Sequence, residues 1–392
     1  VMPRSYLDHA ATSPMPASVR EAYSEALAIV GNPASVHAHG QDSGVYLEDA
    51  RRRVAEALGA EPVEVTFTSG GTESINIALK GMLWHATAGN PDRNVIMLPR
   101  TEHHATLDAA MWAEARQGAE LFWLPVTAEG VVTPEALEAA ITEVGAHRVA
   151  LVTVLLANNE VGSIADVRGL CAVAKRAGVS VHIDAVAALG QVPLHFDDWG
   201  AQLMSVSAHK IGGPVGVGAL AIARDAKPEA LLHGGSQQRG RSGTQDVAGA
   251  VAFAAALDYL GPVEAYAERL AEKRDRLIAR VTEAVPEAVL RGSNPAGPGR
   301  LPGNAHFTFS GCQGDSLLFL LDTQGISVSV GSACQAGVQE TSHVLLAMGL
   351  PEHEAIGSLR ITISGDTTDE ELDAFVQALP AAYEHARNAG LV

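Results

Sequence analysis

Cysteine is scarce: 3 in 392 residues, at Cys171, Cys312 and Cys334. So few thiols cannot staple a chain of this length, which excludes a disulfide framework and predicts a reducing, cytoplasmic setting. Metal-ligand spacing is also lacking. No CxxC and no HExxH occurs, which disfavours metal catalysis, although His182 and Asp184 alternate along one segment, as do His37 and His39 if theirs is extended. Basic residues are outnumbered, 27 against 45 acidic, for a net charge of -18. That balance argues against nucleic acid or an anionic membrane as the main partner. The longest apolar-rich tract, "VAGAVAFAAALDYL", is too short to span a bilayer. The opening "VMPRSYLDHAATSP" has no basic start followed by an apolar stretch, so no secretory signal is expected.

What is present supports a large core. Hydrophobic residues make up 47% of the chain and charged ones 18%, and the length predicts two domains, or one large and one small. From about Val63 to Ile222, short β-branched runs ("VEVTFT", "NVIML", "ELFWL", "RVALVTVLL", "VSVHI", "LMSVS", "VGALAIA") alternate with Ala-rich segments of helical period. Thr133 and Pro134 suit the N-cap and first position of one such helix. The alternation predicts an α/β fold with a mostly parallel sheet covered by helices on both faces. Beyond an amphipathic connector, "PVEAYAERLAEKRDRLIARVTEAV", and the Gly/Pro-rich loop "RGSNPAGPGRLPGN" lies a second α/β module. Its last helix opens at "TTDEEL", where Thr368 and Glu371 can form a capping box.

In open parallel sheets ligands bind beyond the carboxyl ends of the strands, so the residues that follow each strand are informative. After "VEVTFT" comes Ser69-Gly70-Gly71-Thr72-Glu73, a small-residue turn able to offer backbone N–H groups to a phosphate, though no Walker lysine follows. After "NVIML" come Thr101-Glu102-His103-His104, and after "RVALVTVLL" come Asn158-Asn159-Glu160. Asp184 follows "VSVHI", and a carboxylate at the end of an apolar strand calls for a cationic partner. Ser207, His209 and Lys210 follow "LMSVS" and enter the Gly-rich "IGGPVGVG"; a desolvated lysine there suits Schiff-base chemistry. Taken singly, each has an ordinary alternative: a tight connection, solvated histidines, an exposed lysine. Taken together, a phosphate cradle, a ring-stacking imidazole, an acid and an amine on one rim meet the needs of pyridoxal 5'-phosphate.

The motifs "YLDHAATSP", "GNPASVHAHG", "VTFTSGGTES", "TEHHATLD", "ANNEVG", "HIDA", "SVSAHKIGGPVGVGAL", "RSGT", "GSAC" and "SLRITIS" occur in this order. The chain thereby resembles, over nearly its whole length, cysteine desulfurases of the NifS/IscS type within the class V aminotransferase superfamily. The resemblance implies a fold type I pyridoxal-phosphate-dependent transferase. Its large domain, 15–260, would hold a seven-stranded sheet, and its small α/β domain, 1–14 with 261–392, would carry the catalytic cysteine.

By resemblance, Lys210 bonds the cofactor aldehyde, Asp184 partners the pyridine nitrogen, and His103 stacks on the ring and acts as acid or base. Gly71, Thr72, Ser207 and His209 match phosphate-holding positions, and Asn159 a contact to cofactor and substrate. Thr244 matches a residue that reaches the phosphate of a neighbouring subunit, which implies a homodimer. Arg360 matches the residue that grips the substrate carboxylate. Cys334, in the small-residue stretch "SVGSACQAG", matches the nucleophile that takes sulfur from L-cysteine as a persulfide and releases L-alanine. The sulfur would then pass to an acceptor protein for iron–sulfur cluster assembly, tRNA thiolation or another thio-cofactor route.

Cys171 and Cys312 match no catalytic position and are expected to be packed. One departure stands out: the family carries glutamine three residues after the aspartate, and here that position is Ala187. The loop "GGSQQRGRSGT" is also slightly short. Selenocysteine lyase, another C–S lyase, an aminotransferase and a weakly active cofactor-binding variant are the alternatives this leaves.

Overall fold

The structure, a computed structural model, describes residues 4–331 and 341–389. The chain opens with strand β1 (Ser5–Tyr6) and two helices, α1 (Ala17–Ala26) and α2 (Ala38–Leu58). Strands and helices then alternate: β2 (Val65–Thr68), α3 (Gly71–Gly89), β3 (Val95–Pro99), α4 (His104–Gln117), β4 (Glu120–Leu124), α5 (Pro134–Val144), β5 (Val149–Leu155), α6 (Val167–Ala177), β6 (Val181–Asp184), α7 (Phe196–Trp199), β7 (Leu203–Ser207) and β8 (Gly218–Ile222). These strands form one seven-stranded sheet in the order β2-β8-β7-β6-β5-β3-β4. Only β8 runs against its neighbours β2 and β7; the other pairings are parallel. Strands β2, β3 and β5 to β8 are buried along their whole length, as expected of a sheet covered on both faces. Thr133 caps α5 through its hydroxyl with Pro134 in the first turn, as the sequence predicts.

Helices α8 (Val247–Leu260) and α9 (Val263–Ala284) lead to β9 (Ala288–Leu290), β10 (Asn304–Phe309), α10 (Gly314–Asp322), β11 (Ile326–Ser327), α11 (His343–Ala347), α12 (Glu352–Ala355), β12 (Ser358–Thr362) and α13 (Asp369–Ala389). Strands β9, β10 and β12 make an antiparallel sheet, whereas β11 pairs in parallel with β1 at the other end of the chain. Leu7 is accordingly buried with Leu270, Phe307, Leu359 and Phe375 in a core distinct from those around the large sheet. The Thr368–Glu371 capping box is formed in both directions: Thr368 N–H donates to Glu371 Oε2 at 2.9 Å and Glu371 N–H to Thr368 Oγ1 at 3.2 Å.

One condition is not met and one expectation needs correction. His37 and His39 are not on an extended segment: His37 caps α2 with its ring accepting from Gly40 N–H, and His39 lies inside that helix. The run "ISVSV" is not one strand. Only Ile326–Ser327 pairs with β1, and Ser329 bridges instead to Arg360, because the run passes from one sheet to the next. Helix α8, the apolar tract singled out above, buries half of its residues against the protein, Phe253 among them. No single helix among the described residues is long and apolar enough to cross a membrane.

Candidate active site

The carboxyl ends of β2, β5, β6 and β7, with the segment after β3, surround a cavity of about 210 Å³. Its lining includes Gly71, Thr72, His103, Asn159, Asp184, Ser207, His209 and Lys210, residues spread over 140 positions of sequence. The turn between β2 and α3 shapes one wall. Gly70 has φ of +145°, open to glycine and little else, and a Cβ on Gly71 would lie 2.7 Å from Val186 Cγ2. Ser207 closes the same corner, its Oγ 3.9 Å from where a Cβ at Gly70 would be. Glu73 braces the turn, accepting from Ser69 N–H at 2.6 Å and from Arg241 Nε at 2.9 Å. The first-turn N–H groups of a 19-residue helix, which have no intrahelical acceptor, therefore face this corner.

Asp184 ends β6 fully buried, accepting from Val186 N–H at 2.9 Å. Burial pushes its carboxyl up to about 6, against the pull of Lys210. Lys210 sits in the turn after β7, where burial and then the Arg360 charge push its amine down to about 8, with Asp184 and Asp8 opposing. His103 caps α4, its Nδ1 accepting from Ala105 N–H at 3.1 Å, so the proton of the neutral ring is on Nε2. Desolvation, with the Lys210 charge next, pushes its pKa down to about 4. Asn159 Oδ1 is buried with no partner among the described residues.

A phosphate would find the N-terminus of α3, a pyridinium the buried Asp184 carboxylate, an aldehyde the Lys210 amine and a phenolate oxygen the Asn159 side chain. Apart from that phenolate, where the missing glutamine leaves Ala187, the donor set fits pyridoxal phosphate. Ala187 lines this cavity and also an adjoining one of about 30 Å³, whereas Gln191 lines the adjoining one but not this cavity, its Oε1 held by Gly303 N–H at 2.9 Å.

Arg360 lies on β12 and is nearly buried. Its Nη1 donates to Asn159 O at 2.9 Å and its Nη2 to Asp8 Oδ1 at 3.0 Å. Thr244 is exposed and does not line the cavity. Cys334 lies outside the described residues, which resume at 341. Ser342 Oγ donates to Glu160 Oε2 at 2.5 Å, and His343 Nε2 donates to Glu102 O at 2.9 Å. Cys171 and Cys312 are buried free thiols, pushed up to about 12 and about 11 by desolvation, which fits packing rather than reactivity.

The pairing of His182 with Asp184 as metal ligands does not hold. His182 is buried with Nδ1 2.8 Å from Thr153 Oγ1 and Nε2 2.7 Å from Ser205 Oγ, and no metal-ligand cluster occurs among the described residues. Sequence reasoning used "YLDHAATSP" only as a motif and missed what the segment does. Lys210 Nζ donates to Ala10 O, Ser13 N–H donates to His209 O at 2.9 Å, and Asp8 pairs with Arg360. It also passed over Glu102, fully buried beside the cavity, with Oε1 accepting from Leu155 N–H at 2.8 Å and a carboxyl pushed well above its usual range by burial. A carboxylate directly before His103 was the available signal.

The aminotransferase class-V family model matches residues 5–375, and the chain belongs to that family. Within it, the chain is 46% identical over 389 residues to an IscS-like cysteine desulfurase of Mycobacterium tuberculosis, covering 99% of this chain and 98% of that protein. It is 39% identical to the cysteine desulfurase IscS of Dictyoglomus turgidum, covering 97% and 95%. Among solved structures, a NifS-like protein superposes with a TM-score of 0.87 at 32% identity, covering 98% of this chain and all of that one. A structure described as SspA in complex with cysteine superposes at 0.78 with 28% identity, covering 93% and 100%. The fold is that of the pyridoxal-phosphate enzymes of fold type I.

Proposed function

We propose that this protein is a cysteine desulfurase that moves the sulfur of L-cysteine onto Cys334 and releases L-alanine. The observation that carries the reading is the convergence of Lys210, Asp184, His103 and the α3 N-terminus on one cavity, with Arg360 bonded to its Asn159 wall. The names of the relatives favour it over selenocysteine lyase, another C–S lyase or an aminotransferase. Residues 15–260 are read as the large domain, and 1–14 with 261–392 as the small one. A homodimer with Thr244 reaching its neighbour, a sulfur-acceptor protein and a cytoplasmic location complete the proposal.

Bound pyridoxal phosphate supplies an electron sink for loss of the substrate's α-proton. Gly71, Thr72, Ser207 and His209 hold its phosphate, Asp184 keeps a proton on its ring nitrogen, and His103 covers its face. Arg360 orients the substrate by its α-carboxylate. Lys210 Nζ, its amine acidified by burial, takes the α-proton in its neutral form and returns one to carbon. The Cys334 thiolate forms a bond to the substrate sulfur as the carbon–sulfur bond breaks. The bonding pair stays with carbon, which is protonated to give L-alanine, and the enzyme keeps a persulfide.

The test is anaerobic incubation of the holoenzyme with L-cysteine, measuring alanine and sulfide for wild type and Cys334→Ala. Alanine at equal rates in both refutes the persulfide route, and no alanine in either refutes the desulfurase reading. Borohydride reduction and peptide mapping should place the cofactor on Lys210.

A further inference from the structure

Arg360 is already in use before any substrate arrives. It is nearly buried, with both terminal nitrogens engaged, Nη1 by the carbonyl of Asn159 and Nη2 by the carboxylate of Asp8. Nε is buried and has no acceptor among the described residues. An incoming carboxylate can seat on Nε and a terminal nitrogen in the usual two-pronged manner, but it then shares one guanidinium with a second carboxylate. Asp8 is held in place independently of Arg360. Its carbonyl accepts from the Tyr6 hydroxyl at 3.1 Å and from Ala11 N–H at 3.0 Å, and Asp8 bridges to Thr362 on the strand that carries Arg360. These bonds fix the Asp8 backbone, so its carboxylate stays within reach of Arg360 when the site fills.

We propose that Asp8 is a positioning residue that acts as a built-in competitor for Arg360, keeping the hold on an amino acid's α-carboxylate weak enough for product to leave. The inference rests on the proposed reading of Arg360 as the carboxylate anchor. Its logic is chemical: L-cysteine and L-alanine carry the same α-carboxylate, so an unopposed guanidinium would grip product as well as substrate. Two carboxylates on one cation repel, and the fixed one lowers affinity for the mobile one without discriminating between side chains. Asp8 thus trades binding of both amino acids for turnover.

The test uses Asp8→Asn, which keeps the shape and an acceptor oxygen but removes the charge, and Asp8→Glu, which keeps the charge. Binding is read from the cofactor absorbance of the holoenzyme titrated with L-alanine, L-cysteine and cysteamine, the last lacking a carboxylate. Asp8→Asn is expected to tighten L-alanine and lower the KM for L-cysteine by about fivefold, with kcat lowered because product leaves more slowly. Cysteamine should be unaffected and Asp8→Glu should stay near wild type. Weaker or unchanged L-alanine binding in Asp8→Asn, or an equal shift for cysteamine, overturns the proposal. Should Asp8→Asn fail to fold, Asp8→Ser carries the same expectation. Wild type that responds to L-alanine but makes no alanine from L-cysteine refutes the desulfurase reading while leaving the competitor testable. Wild type that responds to neither amino acid overturns both.

Discussion

Lys210 allows the electrostatics of the cavity to be measured on a single atom. Burial and the nearby Arg360 guanidinium bring its amine from an ordinary 10.5 down to about 8, with Asp184 and Asp8 pulling the other way. That fall of about 2.5 corresponds to about 3.4 kcal/mol against the charged form. At pH 7 roughly a tenth of the amine is then neutral, on the order of 300 times the fraction in a free lysine. The perturbation is pH, applied to apoprotein, and the assay is trinitrophenylation of Lys210 followed by peptide mass, with added Nα-acetyl-lysine as the reference. The rate should rise about tenfold per pH unit and level off near pH 8, whereas the reference keeps rising. Arg360→Gln should move the midpoint up and Asp184→Asn should move it down. A Lys210 rate that climbs without a break through pH 9.5 would refute the reasoning. The linkage has a definite sign. Between about 8 and 10.5 the unfolded chain binds the extra proton, so this group alone makes the fold more stable as pH rises through that window.

The buried histidines give the same sign at lower pH. Desolvation depresses His182 and His306 to about 3, so their contribution is complete above pH 6.5 and is lost on acidification, while Asp184 and Glu102, whose pKa values are raised, act in opposition. His306→Leu, which removes a buried ring with neither nitrogen partnered, should spare the protein about 2 kcal/mol of the loss between pH 7 and 5 in urea titrations. Gly218→Ala would put a Cβ 2.6 Å from Gly70 Cα and 2.7 Å from Val206 O, displacing the turn at the α3 N-terminus. Equilibrium dialysis should show cofactor affinity weakened about tenfold, with unchanged affinity refuting the role of that turn. Ala187→Gln restores a donor next to the proposed phenolate, for a gain of about 1.5 kcal/mol in cofactor affinity. An unchanged dissociation constant would show that another group already fills the role.

The large sheet was legible in the sequence because its strands are short apolar runs whose polar residues cluster just beyond their carboxyl ends. Asp184 and Lys210 stood out for that reason. Helices α1 and α2 went unassigned: α2 is rich in charge and begins with Ala, His, Gly and Gln, so its apolar positions at Leu47, Val54 and Leu58 are too sparse to announce a helix alone. The Asp8–Arg360 and Ala10–Lys210 contacts were invisible for a different reason. They join residues far apart in sequence, and no local periodicity encodes a partner across the chain. His182 looked like a ligand because strand alternation placed it two residues from Asp184; only the hydroxyls of Thr153 and Ser205, on neighbouring strands, identify it as a satisfied core residue.

The dependence of the site on the first dozen residues also governs when it can form. Strand β1 must wait for β11, and Asp8 for a partner 352 positions later. At ribosomal rates of 5 to 20 residues per second, that is a delay of roughly 20 to 70 seconds. During synthesis the large sheet, whose last strand ends at Ile222, can assemble around its cavity before Arg360 exists. The cavity residues are therefore made before the proposed carboxylate anchor on β12, which lets cofactor loading precede turnover in time.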